Sequence, residues 1–231
     1  MIRVVFLDVD DTLLSFSGYV KEAMREGFAR FGLPPYEEAM FPVFERINNK
    51  LWEEIEEGTL TLEELRRVRW NRIFHALGVS FEGEVFENYF KTCLFSSAVP
   101  EPGSRELLEY LFGRYTLCAA SNGPYDQQIN RLRVGKLEGY FSHIFISSEV
   151  GAQKPDAAFF ERCFRVLGEN GLPGLKPEEA VIIGDSVSAD IRGGKAYGMH
   201  TCLYTRGIPP EKEVPEADHI VTSLEEIKKL L

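Results

Sequence analysis

Three carboxylates fall within four positions near the start of the chain, in Asp8-Val-Asp10-Asp11-Thr12. Side chains at i and i+2 of an extended backbone point the same way, so Asp8 and Asp10 project together. Two carboxylates that close repel, and both ionise only with positive charge between them, a place that suits a hard cation such as Mg²⁺. Further along stand Ser121-Asn122-Gly123, Lys154-Pro155 and Gly184-Asp185, with Asp190 five residues on. Asp8 and Asp185 supply two negative charges for the cation, and Lys154 adds a positive one. Ser121 brings a hydroxyl, and the backbone N–H groups that come after it, Asn122 included, open a helix whose dipole favours anions. This set asks for a phosphoryl group. Asp8 is placed to attack phosphorus as carboxylates do when they form aspartyl-phosphates. Asp10 is placed to protonate the leaving oxygen and then to take a proton from the water that hydrolyses the intermediate. Asp190 is expected to brace Lys154 or a metal-bound water.

Each group alone has an ordinary reading. The first stretch could be a solvated acidic turn, Ser121 a helix N-cap, Lys154 a loop lysine, and Asp185 with Asp190 an acidic helix start. What argues for chemistry is the elements that carry them. Val4 to Leu7 is an unbroken apolar run, the mark of a strand buried on both faces of a parallel sheet. Tyr115–Ala120, His143–Ile146, Ala180–Ile183, Thr201–Tyr204 and His219–Val221 read as further strands. Helices are expected near 104–112, 126–137, 157–167, 188–197 and 224–231, with a Pro/Glu-rich surface loop over Gly207–Glu216. Strands alternating with helices predict right-handed βαβ units around one parallel sheet. Asp8 and Asp10, Ser121, Lys154 and Asp185 then all lie at or just after strand carboxyl ends, the edge where open parallel sheets bind ligands.

Between the first strand and the rest the texture changes. Helical periodicity with many Glu and Arg residues predicts helices over Val20–Phe31, Tyr36–Glu56, Leu62–Leu77 and Gly83–Phe95. Thr61 and Glu64 form a capping-box signature. Phe44, Trp52, Trp70 and Phe74 are expected to form the core of this insert. The predicted division is a Rossmann-like α/β core over 1–15 and 99–231, helices on both faces of its sheet, and an all-helical insert over 16–98.

Composition narrows the function classes. The 231 residues are 44% hydrophobic and 27% charged, with a net charge of −10, which disfavours a basic face for nucleic acid polymers or anionic membrane. No apolar run approaches a membrane span, and the chain is expected to be cytoplasmic, as monomer or homodimer. The four cysteines and four histidines are scattered and suggest no zinc site or disulfide framework.

Taken in order, Asp8-Val-Asp10-Asp-Thr12, Ser121-Asn-Gly, Lys154-Pro and Gly184-Asp185-Ser-Val-Ser-Ala-Asp190 resemble the four motifs of the haloacid dehalogenase-like hydrolases, and the match spans the chain. The resemblance implies a Rossmann-like core with a helical cap inserted after the first motif. It implies Asp8 as nucleophile, Asp10 as acid/base with its backbone carbonyl on Mg²⁺, Asp185 as the second metal carboxylate, and Ser121 and Lys154 as positioners. Ser121-Asn-Gly, Ser147-Ser-Glu-Val-Gly, Asp190-Ile-Arg-Gly-Gly194 and Asn49-Lys-Leu-Trp52 are similar to the 5′-nucleotidase-like branch. That implies a Mg²⁺-dependent phosphatase of a small phosphorylated metabolite, a pyrimidine nucleoside 5′-monophosphate, with Asn48 or Asn49, Trp52 and Arg69 as readers of the base and ribose. The alternatives are a sugar or sugar-acid phosphatase resembling N-acylneuraminate phosphatases, a phosphomutase, a dehalogenase, or an inactive binding module. A dehalogenase needs no acid for its leaving group, so Asp10 argues against it.

Overall fold

In a computed structural model of the protein, residues 1–210 and 213–231 are described. Residues 211 and 212, inside the expected surface loop, lie outside them. The chain forms two compact units: residues 1–15 with 98–231, and residues 16–97.

The first unit holds six parallel strands, β1 (Val4–Leu7), β2 (Thr116–Ser121), β3 (His143–Ile146), β4 (Ala180–Gly184), β5 (His200–Tyr204) and β6 (His219–Val221), in the order β3-β2-β1-β4-β5-β6. This is a doubly wound Rossmann-like sheet. Its order reverses beside β1, which pairs with β2 and β4. Side chains alternate as the pleat requires. Val5, Leu7, Leu117, Ala119, Val181 and Ile183 pack on one face with residues of the helices Ser104–Leu111 and Tyr125–Val134. Val4, Phe6, Cys118, Ala120 and Ile182 pack on the other with Phe159, Phe160 and Phe164 of the helix Ala157–Glu169. Burial on both faces explains why the strands read as continuous apolar runs rather than as alternation.

The second unit is all-helical: α1 (Phe16–Arg30), α2 (Phe41–Glu56), α3 (Leu62–Leu77) and α4 (Gly83–Ser96). Phe44, Trp70, Phe74, Phe86 and Phe90 fill its core, with the Trp70 and Phe86 ring centroids 4.3 Å apart. Trp52 is half-buried on a smaller cluster of Leu51, Ile55 and Leu65. The Thr61–Glu64 capping box is formed. Among the described residues no helix is long and apolar enough to cross a membrane.

Several expected helices differ in outline. The helix predicted from Tyr36 begins only at Phe41, after a 3₁₀ turn at Glu38–Met40. Pro42 is the reason: it lacks an N–H and fits only the first helical turn. The helix expected over 188–197 is a π-wound segment, Val187–Arg192, and then the α-helix Gly193–Tyr197. The last helix is shorter than expected, Leu224–Ile227.

Candidate active site

β1 delivers Asp8 to the sheet edge, where its backbone N–H donates to Ile183 O at 2.9 Å. Lys154 enters from the loop after β3 and is 1% exposed. Its ammonium donates to Asp8 Oδ1 at 2.8 Å, Asp190 Oδ1 at 2.6 Å and Ala120 O at 2.7 Å, which employs all three of its protons. The Lys154 backbone is held by Asn122: the Asn122 amide donates to Lys154 O at 2.8 Å, and Lys154 N–H donates to Asn122 Oδ1 at 2.9 Å. The side chain of Asn122, expected at the phosphate, is therefore committed to positioning Lys154, and what it has for an anion is its backbone.

Asp185 comes directly after β4. One oxygen from each of Asp8, Asp185 and Asp190 falls within 4.8 Å of the others. Asp190 reaches back from the π-wound segment, and Ser186 N–H donates to its Oδ2 at 3.1 Å. It lies against Gly184, where a Cβ would stand 2.1 Å from that same oxygen, so only glycine leaves room for it.

The electrostatics result from burial. Asp8 is pushed up to about 7, first by loss of water and then by Asp190, with Lys154 opposing. Asp185 is raised well above its ordinary value by burial and by Asp11, Asp8 and Asp190, with Arg206 opposing. Burial alone would lower Lys154, but Asp190 and Asp8 outweigh it and hold the ammonium charged. Three carboxylates against one ammonium leave two negative charges when all are ionised, and oxygen donors at this spacing suit a hard divalent cation. The residues present therefore fit a metal such as Mg²⁺.

The carboxylate of Asp10 is directed elsewhere. It accepts from Gln128 Nε2 at 2.6 Å and pairs with Arg131. Gln128 Nε2 also donates to Ser121 Oγ at 2.7 Å, and Ser121 Oγ accepts from Gly123 N–H at 3.1 Å. Sequence reasoning passed over Gln128 and Arg131. The available signal was their spacing of three on the helix opened by Ser121-Asn-Gly, which puts them on one face.

Asp8, Asp10, Ser121, Asn122, Lys154 and Asp185 thus all belong to the edge formed by the carboxyl ends of β1 to β4. The residues expected to read a base do not all remain available. Within the helical unit Arg69 donates to both Glu87 carboxylate oxygens, at 3.0 and 2.6 Å, and to Asn48 Oδ1 at 3.2 Å. All three are buried. A guanidinium buried without such partners would cost several kcal/mol, so this trio is an internal support of the unit. Asn49 is exposed.

Fold and site together define a hydrolase built on a doubly wound parallel sheet, with a helical insert and an aspartate-lined edge. The chain belongs to the haloacid dehalogenase-like hydrolases, whose family model matches residues 2–198. It is 31% identical to the HAD-hydrolase YfnB of Bacillus subtilis (strain 168), over 99% of this chain and 95% of that one. A crystal structure of YfnB bound to magnesium superposes with a TM-score of 0.87, covering 100% and 98% of the two chains. The chain is also 31% identical to the pyrimidine 5′-nucleotidase PynA of Streptococcus pneumoniae, over 87% of this chain and 83% of that one. N-acylneuraminate-9-phosphatase of Homo sapiens is 24% identical over 100% and 94%.

Proposed function

We propose that this hydrolase is a Mg²⁺-dependent phosphomonoesterase working through an aspartyl-phosphate, with a pyrimidine nucleoside 5′-monophosphate as its preferred substrate. The observation that carries the phosphatase reading is the pair of separately held carboxylates. Asp8 sits on Lys154, while Asp10, two residues away, is anchored on Gln128 and Arg131. A halide leaves without a proton, whereas an alkoxide needs one, and Asp10 is the group to give it.

An Asp8 oxygen attacks phosphorus as the bond from phosphorus to the ester oxygen breaks, and Asp10 protonates the departing oxygen. Water then attacks the same phosphorus, Asp10 takes its proton, and the bond to Asp8 breaks to release phosphate. The hydroxyl of Ser121 and the backbone N–H groups after it, including that of Asn122, hold phosphoryl oxygens, while Lys154 lends them its positive charge from its place on Asp8. Asp8, Asp185 and the Asp10 carbonyl would hold the cation, whose charge would offset that of the nucleophile and of the phosphoryl group.

The nucleotide assignment is supported by the likeness to PynA and by the branch-like motifs around Ser121 and Lys154. A sugar or sugar-acid phosphate is the second reading, favoured by the commitment of Arg69 to Glu87 and of Asn48 to Arg69, which removes two of the expected base readers. The deciding experiment compares kcat/KM for UMP, dTMP, AMP, a hexose phosphate and a sugar-acid phosphate, with Mg²⁺ and after chelation. Nucleotides are expected to lead and chelation to abolish turnover. A sugar phosphate ahead of every nucleotide by about tenfold, about 1.4 kcal/mol of transition-state preference, would transfer the assignment to sugars.

A further inference from the structure

Gln128 and Arg131 are both fully buried, and neither takes part in bond making or breaking in the two half-reactions. They stand one turn apart on the helix Tyr125–Val134. Together they grip Asp10 at both oxygens: Gln128 Nε2 donates to Oδ2 at 2.6 Å, and Arg131 Nη1 donates to Oδ1. The grip is itself braced, because Arg131 Nη1 also donates to Gln128 Oε1 at 2.9 Å. The same Gln128 amide donates to Ser121 Oγ at 2.7 Å, so one side chain spans the distance between Asp10 and the serine of the anion edge. Space is reserved for it, since a Cβ at Gly123 would lie 2.6 Å from Gln128 Nε2. The glycine of Ser121-Asn-Gly is thus a cradle for Gln128.

We propose that Gln128 and Arg131 are positioning residues that aim the Asp10 carboxylate at the oxygen leaving phosphorus and fix its distance from Ser121. The inference rests on the reading of Asp10 as acid/base. Each carboxylate oxygen has two lone pairs. The helix takes one on each oxygen, leaving the others on the side where Asp10 is open, its side chain being 32% exposed. The last torsion of an aspartate is broad and two-fold, so an untethered carboxylate would turn freely. Two donors from one rigid helix stop that rotation without touching the substrate. Proton transfer depends on such alignment, while attack by Asp8 does not.

The test is the leaving group. With the full-length protein and saturating Mg²⁺, kcat/KM is measured on 4-nitrophenyl phosphate, whose phenolate departs without a proton, and on a simple alkyl phosphate, whose alkoxide does not. Asp10→Asn is expected to lose at least about a hundredfold more on the alkyl ester than on the aryl ester. Gln128→Met and Arg131→Lys should show the same pattern with a differential of at least about tenfold, and Gln128→Met should add no differential in the Asp10→Asn background. Should Arg131→Lys fail to fold, Gln128→Met, which nearly keeps volume, carries the test alone. Equal losses on both esters, or a differential that persists without Asp10, would overturn the positioning role and leave the acid/base reading intact. If Asp10→Asn itself shows no differential, the acid/base reading falls and this inference falls with it.

Discussion

Lys154 joins the residues that bear charge: it binds Asp8, Asp190 and the end of β2 through Ala120 O, and has no proton left for a second geometry. A nucleophile fixed in that way should be intolerant of change. Asp8→Asn keeps the shape and removes the attacking charge, so turnover is expected to fall by at least about three orders of magnitude with the circular dichroism unchanged. Retention of more than about a tenth of wild-type turnover, a loss under about 1.4 kcal/mol, would exclude Asp8 as nucleophile. The same burial sets a pH dependence. Asp8, pushed up from 3.8 to about 7, and Asp185, also raised, hold their protons more tightly folded than unfolded. Their contribution to the stability of the metal-free protein is therefore greatest below the ordinary value and declines as pH rises through about 7. A cation replaces those protons, so the rise in Tm on adding Mg²⁺ should be larger at about pH 8 than at about pH 5.5. An equal or reversed difference would refute the assignment of these carboxylates to the metal. At this scale the sequence disclosed the groups that lie on strand ends. It concealed Gln128 and Arg131, because a polar residue on a helix reads as solvated until its partner is known, and theirs lies about 120 residues away.

At the scale of elements, Val187–Arg192 shows how local winding places a distant charge. A π-turn inserts one residue into a helix and re-aims the side chains beyond it. Here it carries Asp190 back over Gly184 to meet Lys154. Gly184→Ala should force that carboxylate away, costing about 1–3 kcal/mol as other overpacked sites do. Activity is expected to fall further than the loss of folded protein accounts for, a comparison made by denaturant titration beside kcat; unaltered kcat would show that Asp190 need not lie there. Much of the element level was legible. Runs such as Val4–Leu7 and Ala180–Ile183 could only be interior strands, and Thr61 with Glu64 marked a helix start. Pro42 carried the information that α2 starts late, but the periodicity of Tyr36–Glu56 masked it. Arg69 and Asn48 are expected at the substrate because a single helix does not reveal that Glu87, on another, neutralises Arg69 and that Arg69 in turn takes up Asn48.

At the scale of the molecule, the carboxyl edge of the sheet offers groups for phosphate and metal, and we assign the choice of leaving group to the helical insert. Exchanging residues 16–97 for the equivalent segment of a sugar phosphatase should transfer substrate preference while the response to chelation stays the same. Preference that remained with residues 1–15 and 98–231 would relocate specificity to the sheet edge. The strand order has a consequence for synthesis. β1 is made first yet ends between β2 and β4, and its second neighbour is completed only at Gly184. At a ribosomal rate of about 5–20 residues per second, that leaves β1 without this partner for roughly 10–35 s. Throughout that interval Val4-Val-Phe-Leu7, among the most apolar segments of the chain, is an adhesive stretch of the nascent polypeptide. The helical insert, contiguous in sequence, is complete well before the sheet can close, so translation speed up to Gly184 governs how long this strand stays without its second neighbour.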